Sequence, residues 1–178
     1  MEVPLDARSV ESDAVLLARF ANGDRAAAHA LSLRLAPKAM SYASRVLRDR
    51  AEAEDVTQEA MLRLWRIAPE WRDGEAQVTT WFYRVVANLC TDRLRKTKAT
   101  NLDDVPEPPD PRATGDSVLQ DNARAAALEA ALSELPDRQR QAVVLRHIEN
   151  LPNPEIAQIM DITVEAVESL TARGKRAL

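Results

Sequence analysis

Four prolines within six positions, Pro106 to Pro111, forbid regular structure near the middle of this chain. Proline fixes φ and lacks an N–H donor, so such a run excludes both a helix interior and a central strand. Around it, Ala99–Asp121 carries six acids (Asp103, Asp104, Glu107, Asp110, Asp116 and Asp121) against Arg112 alone. A segment so acidic and poor in apolar residues cannot bury enough surface to offset its ordering entropy. It reads as an extended tether over 98–121, separating a unit at 1–97 from another at 122–178.

Both units read as all-α. Aromatics make up only 4% of the 178 residues, and Ala, Leu, Arg and Glu dominate, which favours helices over sheets. In the first unit Ser12 and Asp24 are N-caps, the latter for an Ala-rich helix to about Leu35, and Pro37 starts another helix. Val56, Ala60, Leu64 and Ile67 recur at helical spacing until Pro69. Thr79 or Thr80 then caps a helix from Trp81 to about Lys96. In the second unit a helix over Asn122–Leu135 stops at Pro136, and Asp137–Ile148 turns Val144, Leu145 and Ile148 inward. Pro154 opens a short helix at a position where its missing N–H costs little. Thr163 caps the last helix, with Val164, Val167 and Gly174 on one side. Short helix, tight turn, longer helix is the helix-turn-helix arrangement.

Composition narrows the function classes. The single cysteine, Cys90, excludes an internal disulfide framework and fits a reducing compartment. His29 and His147 are too far apart for a zinc-ligand spacing, and both read as ordinary surface or structural residues. No phosphate-cradling glycine loop or nucleophile–base motif points to an enzyme, and no cofactor or metal is expected. No run approaches a membrane span, and the Met1–Asp6 start lacks the features of a signal peptide, so a cytoplasmic protein without membrane insertion is expected.

A formal net charge of −4 argues against nucleic acid only as a total. Ala99–Asp121 holds −5 of it, leaving the rest at +1, and Trp81–Lys98 sets Arg84, Arg93, Arg95, Lys96 and Lys98 against Asp92. Local basic strips, not sums, govern phosphate binding. On the Trp81 helix, Arg84, Asn88, Thr91 and Arg95 share one face, opposite Phe82, Val85, Val86 and Leu89. Five of the seven aromatics, Trp65, Trp71, Trp81, Phe82 and Tyr83, lie within nineteen positions. Arginine to neutralise phosphate, an amide to read a base edge and aromatics to stack suit unpaired DNA. By themselves, the polar row also fits a solvated face and the aromatics a core.

At this point the chain resembles a known family. Leu135-Pro-Asp-Arg-Gln-Arg-Gln-Ala-Val-Val-Leu-Arg, with Asn150–Arg173 after it, resembles region 4 of bacterial sigma factors. Ala53–Trp65 resembles the region 2 segment that docks on the polymerase clamp, and Trp81–Lys96 the helix that opens and reads the −10 element. Their order, and the missing region 3, match the extracytoplasmic-function (ECF) subgroup. The resemblance implies an alternative sigma factor that binds core RNA polymerase through clamp and flap and directs it to promoter DNA, held in check by an anti-sigma factor. It implies polymerase contacts at Asp55, Gln58, Glu59, Leu62 and Trp65. It implies −10 contacts at Trp71, Arg84, Asn88, Thr91 and Arg95, with Trp71 near a pocket for a flipped base. It implies −35 contacts at Thr163, Glu165, Ser169, Arg173, Lys175 and Arg176.

The chain departs from the family's pattern in places. Glu168 and Leu170 stand where relatives often carry basic residues, Asp161 where many helix-turn-helix turns have glycine, and relatives usually run on a little past Leu178. Two other readings stay open here: a sigma-like decoy that binds an anti-sigma factor without DNA, and a plain helix-turn-helix regulator. The second leaves the Asp55–Trp65 and Trp81–Lys96 likenesses unexplained.

Overall fold

In the computed structural model the described residues are 11–72, 74, 76–100 and 118–178. The first half is built of α1 (Asp13–Ala21), α2 (Arg25–Leu47), α3 (Arg50–Ile67) and α4 (Val78–Thr100), with a 3-10 turn at Ala68–Glu70. The second holds α5 (Val118–Glu134), α6 (Asp137–Val143), α7 (Asn153–Met160) and α8 (Val164–Ala177), with a π-helical turn at Val144–Ile148. Among the described residues there is no strand.

Side-chain caps set the helix starts. Ser12 Oγ accepts from the Val15 amide, Asp24 from Ala26 and Ala27, and Asp49 from Glu52, each taking up an amide that a first helical turn leaves without a partner. The core of this half forms where Leu31, Leu35, Ala39 and Val46 of α2 meet Val56, Ala60 and Leu64 of α3 and Phe82 and Val86 of α4, all fully buried.

Several local expectations change. Pro37 does not begin a helix but lies inside α2, which runs unbroken for 23 residues. Its missing N–H leaves the Leu33 carbonyl without that helical bond on the exposed side, while Leu35 and Ala39 stay packed beneath. Thr79 and Thr80 do not cap α4, which starts earlier. Trp81 N–H bonds to the Gln77 carbonyl, and Thr79 Oγ1 donates instead to Asp13 Oδ2 at 2.9 Å. α4 ends at Thr100 and α5 starts at Val118, so helix enters both ends of the 98–121 span; the proline run itself lies outside the described residues.

In the second half α7 and α8 form a helix-turn-helix, with α8 packed on α6. Asp161 makes the turn in the left-handed region (φ 53°), as an aspartate can at modest cost, and Thr163 caps α8 through the Ala166 amide. The two halves also rest on one another. α7 lies along α4, α6 and the π turn meet α2, and the buried side chains of both halves form one connected cluster.

Candidate functional site

The ridge Phe82, Val86, Leu89 and Cys90 is buried beneath α4, and this fixes the opposite row. Arg84, Asn88, Thr91 and Arg95 all stand exposed on the outer side, one above another, as their spacing requires. Arg93 is turned away from this row and pairs with Glu52, tying α4 to α3. In front of α4, Gly74, Ala76 and Gln77 and the start of α1 border a cavity of about 590 Å³ that Ser12, Asp13 and Thr79 also line. On the far side it is roofed by Glu155 and Gln158 of α7.

Trp71 is not at that cavity. It is half-buried, meets Trp81 edge-on at 5.9 Å between ring centroids, and borders a different hollow with Ala14, Ala18 and Pro69. Its indole Nε1 is buried without a hydrogen-bond partner. Aromatic packing, which the pair gains wherever α1 closes over the loop, draws it inward. Gly74 and Gln77, with the hydroxyl residues Ser12, Thr79 and Thr80 of the flanking helices, line the cavity in its place.

On α3, Asp55, Gln58 and Leu62 are exposed, Leu62 to 49%, and Glu59 pairs with Arg63 at 2.9 Å. Trp65 differs: it is half-buried, with its ring 4.6 Å from that of Phe20. Beside this face an apolar groove of about 540 Å³ runs between α2 and α3, lined by His29, Leu33, Pro37, Met40 and Gln58 among others.

On α8, Val167 and Gly174 face inward, so Glu165, Ser169, Arg173 and Arg176 share the outward side. Thr163 and Glu165 also serve the helix start. Backbone and Thr163 hydroxyl bonds hold the Glu165 carboxyl below its usual range. Lys175 lies on a flank with Glu168, at a hollow shared with Arg146 and His147.

A further cluster lies at the junction of the halves, and sequence reasoning missed it. Glu149 Oε1 accepts from the Ser41 hydroxyl at 2.6 Å and Oε2 from the Tyr83 hydroxyl at 2.5 Å. Gln141 Nε2 donates to Thr91 Oγ1 at 3.4 Å, Asp161 stands 3.9 Å from Arg84, and Lys98 pairs with Asp137. Burial first, then the Glu149 carboxylate, pushes the Tyr83 phenol up. Burial likewise pushes the Cys90 thiol up to about 12. Nothing in the chain pairs Glu149 with residues 108 and 66 positions away; only the docking of the halves brings them together.

A family model of Sigma-70 region 2 matches residues 31–100, and one of Sigma-70 region 4 matches 125–178. The ECF RNA polymerase sigma factor SigM of Mycobacterium tuberculosis is 34% identical over 174 residues, covering 96% of this chain and 85% of that protein. The chain belongs to the ECF RNA polymerase sigma factors. Two solved structures share the fold of this ECF sigma factor. CnrH in complex with the cytosolic domain of CnrY has a TM-score of 0.67 at 23% identity, covering 94% of each chain. The sigma factor RpoE in complex with the anti-sigma factor NepR from Bartonella quintana has a TM-score of 0.66 at 20% identity, covering 82% of this chain and 90% of the other. Sigma factors bind core RNA polymerase and promoter DNA, and this chain carries both of the regions that its family relatives use. Among the described residues no helix is long and apolar enough to cross a membrane.

Proposed function

We propose that the row Arg84, Asn88, Thr91 and Arg95 captures the melted −10 strand while the outward side of α8 holds the −35 duplex. The observation that carries this reading is the row itself, four polar side chains exposed directly above a fully buried apolar ridge. Arginines neutralise phosphates, and the Asn88 amide reads an exposed base edge. The cavity in front of α4 takes an extruded base. Extrusion costs a few kcal/mol, which a preformed pocket offsets without ATP. Ser169, Arg173 and Arg176, with Thr163 and Glu165 at the helix start and Lys175 on the flank, meet phosphates and base edges in the major groove.

The α3 face of Asp55, Gln58, Glu59 and Leu62 docks on the polymerase clamp, with Trp65 holding that face in place from beneath. The working units are 1–97 for core and −10 binding and 122–178 for −35 binding, spanned by 98–121. The chain acts by binding alone, makes and breaks no covalent bond, and works in the cytoplasm where the polymerase is. An anti-sigma factor holds it inactive; the anti-sigma factor NepR, bound to the related RpoE, supports that expectation.

Run-off transcription tests the reading. Core polymerase is given sheared genomic DNA from the source organism, with and without the protein, and the transcript starts are sequenced. Discrete new starts sharing −35 and −10 motifs are expected, and Asn88→Ala loses them while still binding core. Folded protein that binds core yet yields no new starts overturns the reading.

A further inference from the structure

One carboxylate ties together three elements that meet at the cavity in front of α4. Asp13 Oδ1 accepts from Arg34 Nη1 of α2 at 3.0 Å, and Oδ2 accepts from the Thr79 hydroxyl of α4 at 2.9 Å. Arg34 Nη1 also donates to the Glu11 carbonyl at 2.6 Å, just ahead of α1. Asp13, Arg34 and Thr79 are each half-buried, and Asp13 and Thr79 both line the cavity. Leu16 and Leu17, both buried, already seat α1 on its neighbours. The carboxylate is thus a polar tie at the cavity wall, added to an apolar anchor behind it.

The tie fixes which way the Thr79 hydroxyl works. A hydroxyl both donates and accepts, and its proton turns to whichever partner is offered. An aspartate held by arginine only accepts, so the Thr79 proton is committed to Asp13 and the oxygen keeps lone pairs alone for the cavity. Arg34 offsets the charge of Asp13, so the wall accepts hydrogen bonds without a net negative charge to repel a strand. Such a wall suits a base edge that donates. Adenine and cytosine carry an exocyclic amine where guanine and thymine carry a carbonyl oxygen, and that oxygen would face another oxygen here. Ser12 and Gln77, which keep donors of their own, suit the acceptor nitrogen beside the amine.

We propose that Asp13 is a positioning residue of this cavity. By holding the Thr79 proton it makes the wall an acceptor, and the cavity thereby selects an extruded adenine or cytosine over guanine or thymine. The proposal rests on the reading of the cavity as the seat of an extruded −10 base. Asp13 acts through Thr79 and need not touch the base itself. Without the carboxylate the hydroxyl rotates freely, donates as readily as it accepts, and serves amino and keto bases alike. The discrimination is set from α1, by a residue 66 positions ahead of the hydroxyl it orients.

The test uses the full chain bound to core polymerase, on a promoter found by run-off transcription. Its −10 strand is held open as a mismatched bubble, so that base changes leave duplex stability untouched. Transcript yield is measured with each of the four bases at each open position. Wild type is expected to favour adenine or cytosine at one position by about tenfold. Purine or 2-pyrimidinone, which lack only the amine of adenine or cytosine, should forfeit that advantage. Asp13→Ala and Thr79→Val are expected to bring the preference there to within about twofold while leaving the other positions as they are. Thr79→Ser, which keeps the hydroxyl, retains it. Each comparison is a ratio between templates in one preparation, so the share of folded protein cancels. Preferences that persist in Asp13→Ala, or that fall equally at every position, overturn the proposal while the −10 reading stands. A wild type without an amino-base preference at any open position also overturns it; if no position shows a preference of any kind, the −10 reading falls as well.

Discussion

A Cβ placed on Gly174 would stand 2.4 Å from Cγ2 of Val143. α8 crosses α6 at this point, and only a residue without a side chain lets the two backbones approach so closely. By helix propensity alone, alanine at a helix interior gains about 1 kcal/mol over glycine. Overpacking at a buried crossing typically costs about 1–3 kcal/mol. Gly174→Ala is therefore expected to lower stability, read as a drop in the urea midpoint at unchanged slope, although the same change in an exposed helix would raise it.

The face offered to polymerase divides into contact and support. Leu62 is 49% exposed, whereas Trp65 packs on Phe20. Leu62→Ala is expected to weaken core binding by about 1–2 kcal/mol with the thermal midpoint unchanged. Trp65→Ala is expected to destabilise the fold by about 3 kcal/mol or more, as large aromatic truncations do. Titration of core polymerase against each variant, paired with thermal melts, tells them apart.

Cys90 is fully buried, and burial lifts its thiol to about 12. Since the thiolate is the reactive form, the native chain at pH 8 is expected to react with a disulfide reagent only as fast as it opens. The thiol should then react at once in denaturant. Rapid labelling of the native chain, followed by absorbance, would contradict the buried setting.

Asp24 is held below its ordinary value by the Arg19 guanidinium first and by the amides of Ala27 and Ala26. A carboxyl whose folded value is depressed stabilises at neutral pH and loses that contribution as pH falls through the folded value. Asp24→Asn is expected to be less stable than wild type at pH 7 and to converge with it once the pH has fallen below the depressed folded value. Acid titrations followed by circular dichroism show whether the two curves meet.

Much of this was legible in the sequence because it depends on short-range rules. The caps at Ser12, Asp24 and Thr163, the exposed row on α4 and the buried face of α8 all follow from spacing and local hydrogen bonding. Pro37 misled because its effect depends on which side of the helix faces water, and that is set by tertiary packing. Trp71 packs further inward than its polar surroundings in sequence suggest, for a similar reason. A polar stretch of sequence does not reveal that Trp81 and α1 supply an apolar seat. The Glu149 cluster had no local signal at all, since its partners come from α2 and α4.

The Glu149 cluster also bears on how such a protein can be recombined. Its carboxylate belongs to one half, while both hydroxyls it satisfies belong to the other. A chimera that joins this chain's C-terminal half to a relative's N-terminal half keeps these bonds only where the relative supplies hydroxyls at the same two places, and the reverse exchange only where it supplies the carboxylate. The two halves are thus matched parts rather than free modules. An exchange of halves between members of the family preserves this junction when the residues at positions 41, 83 and 149 are carried together.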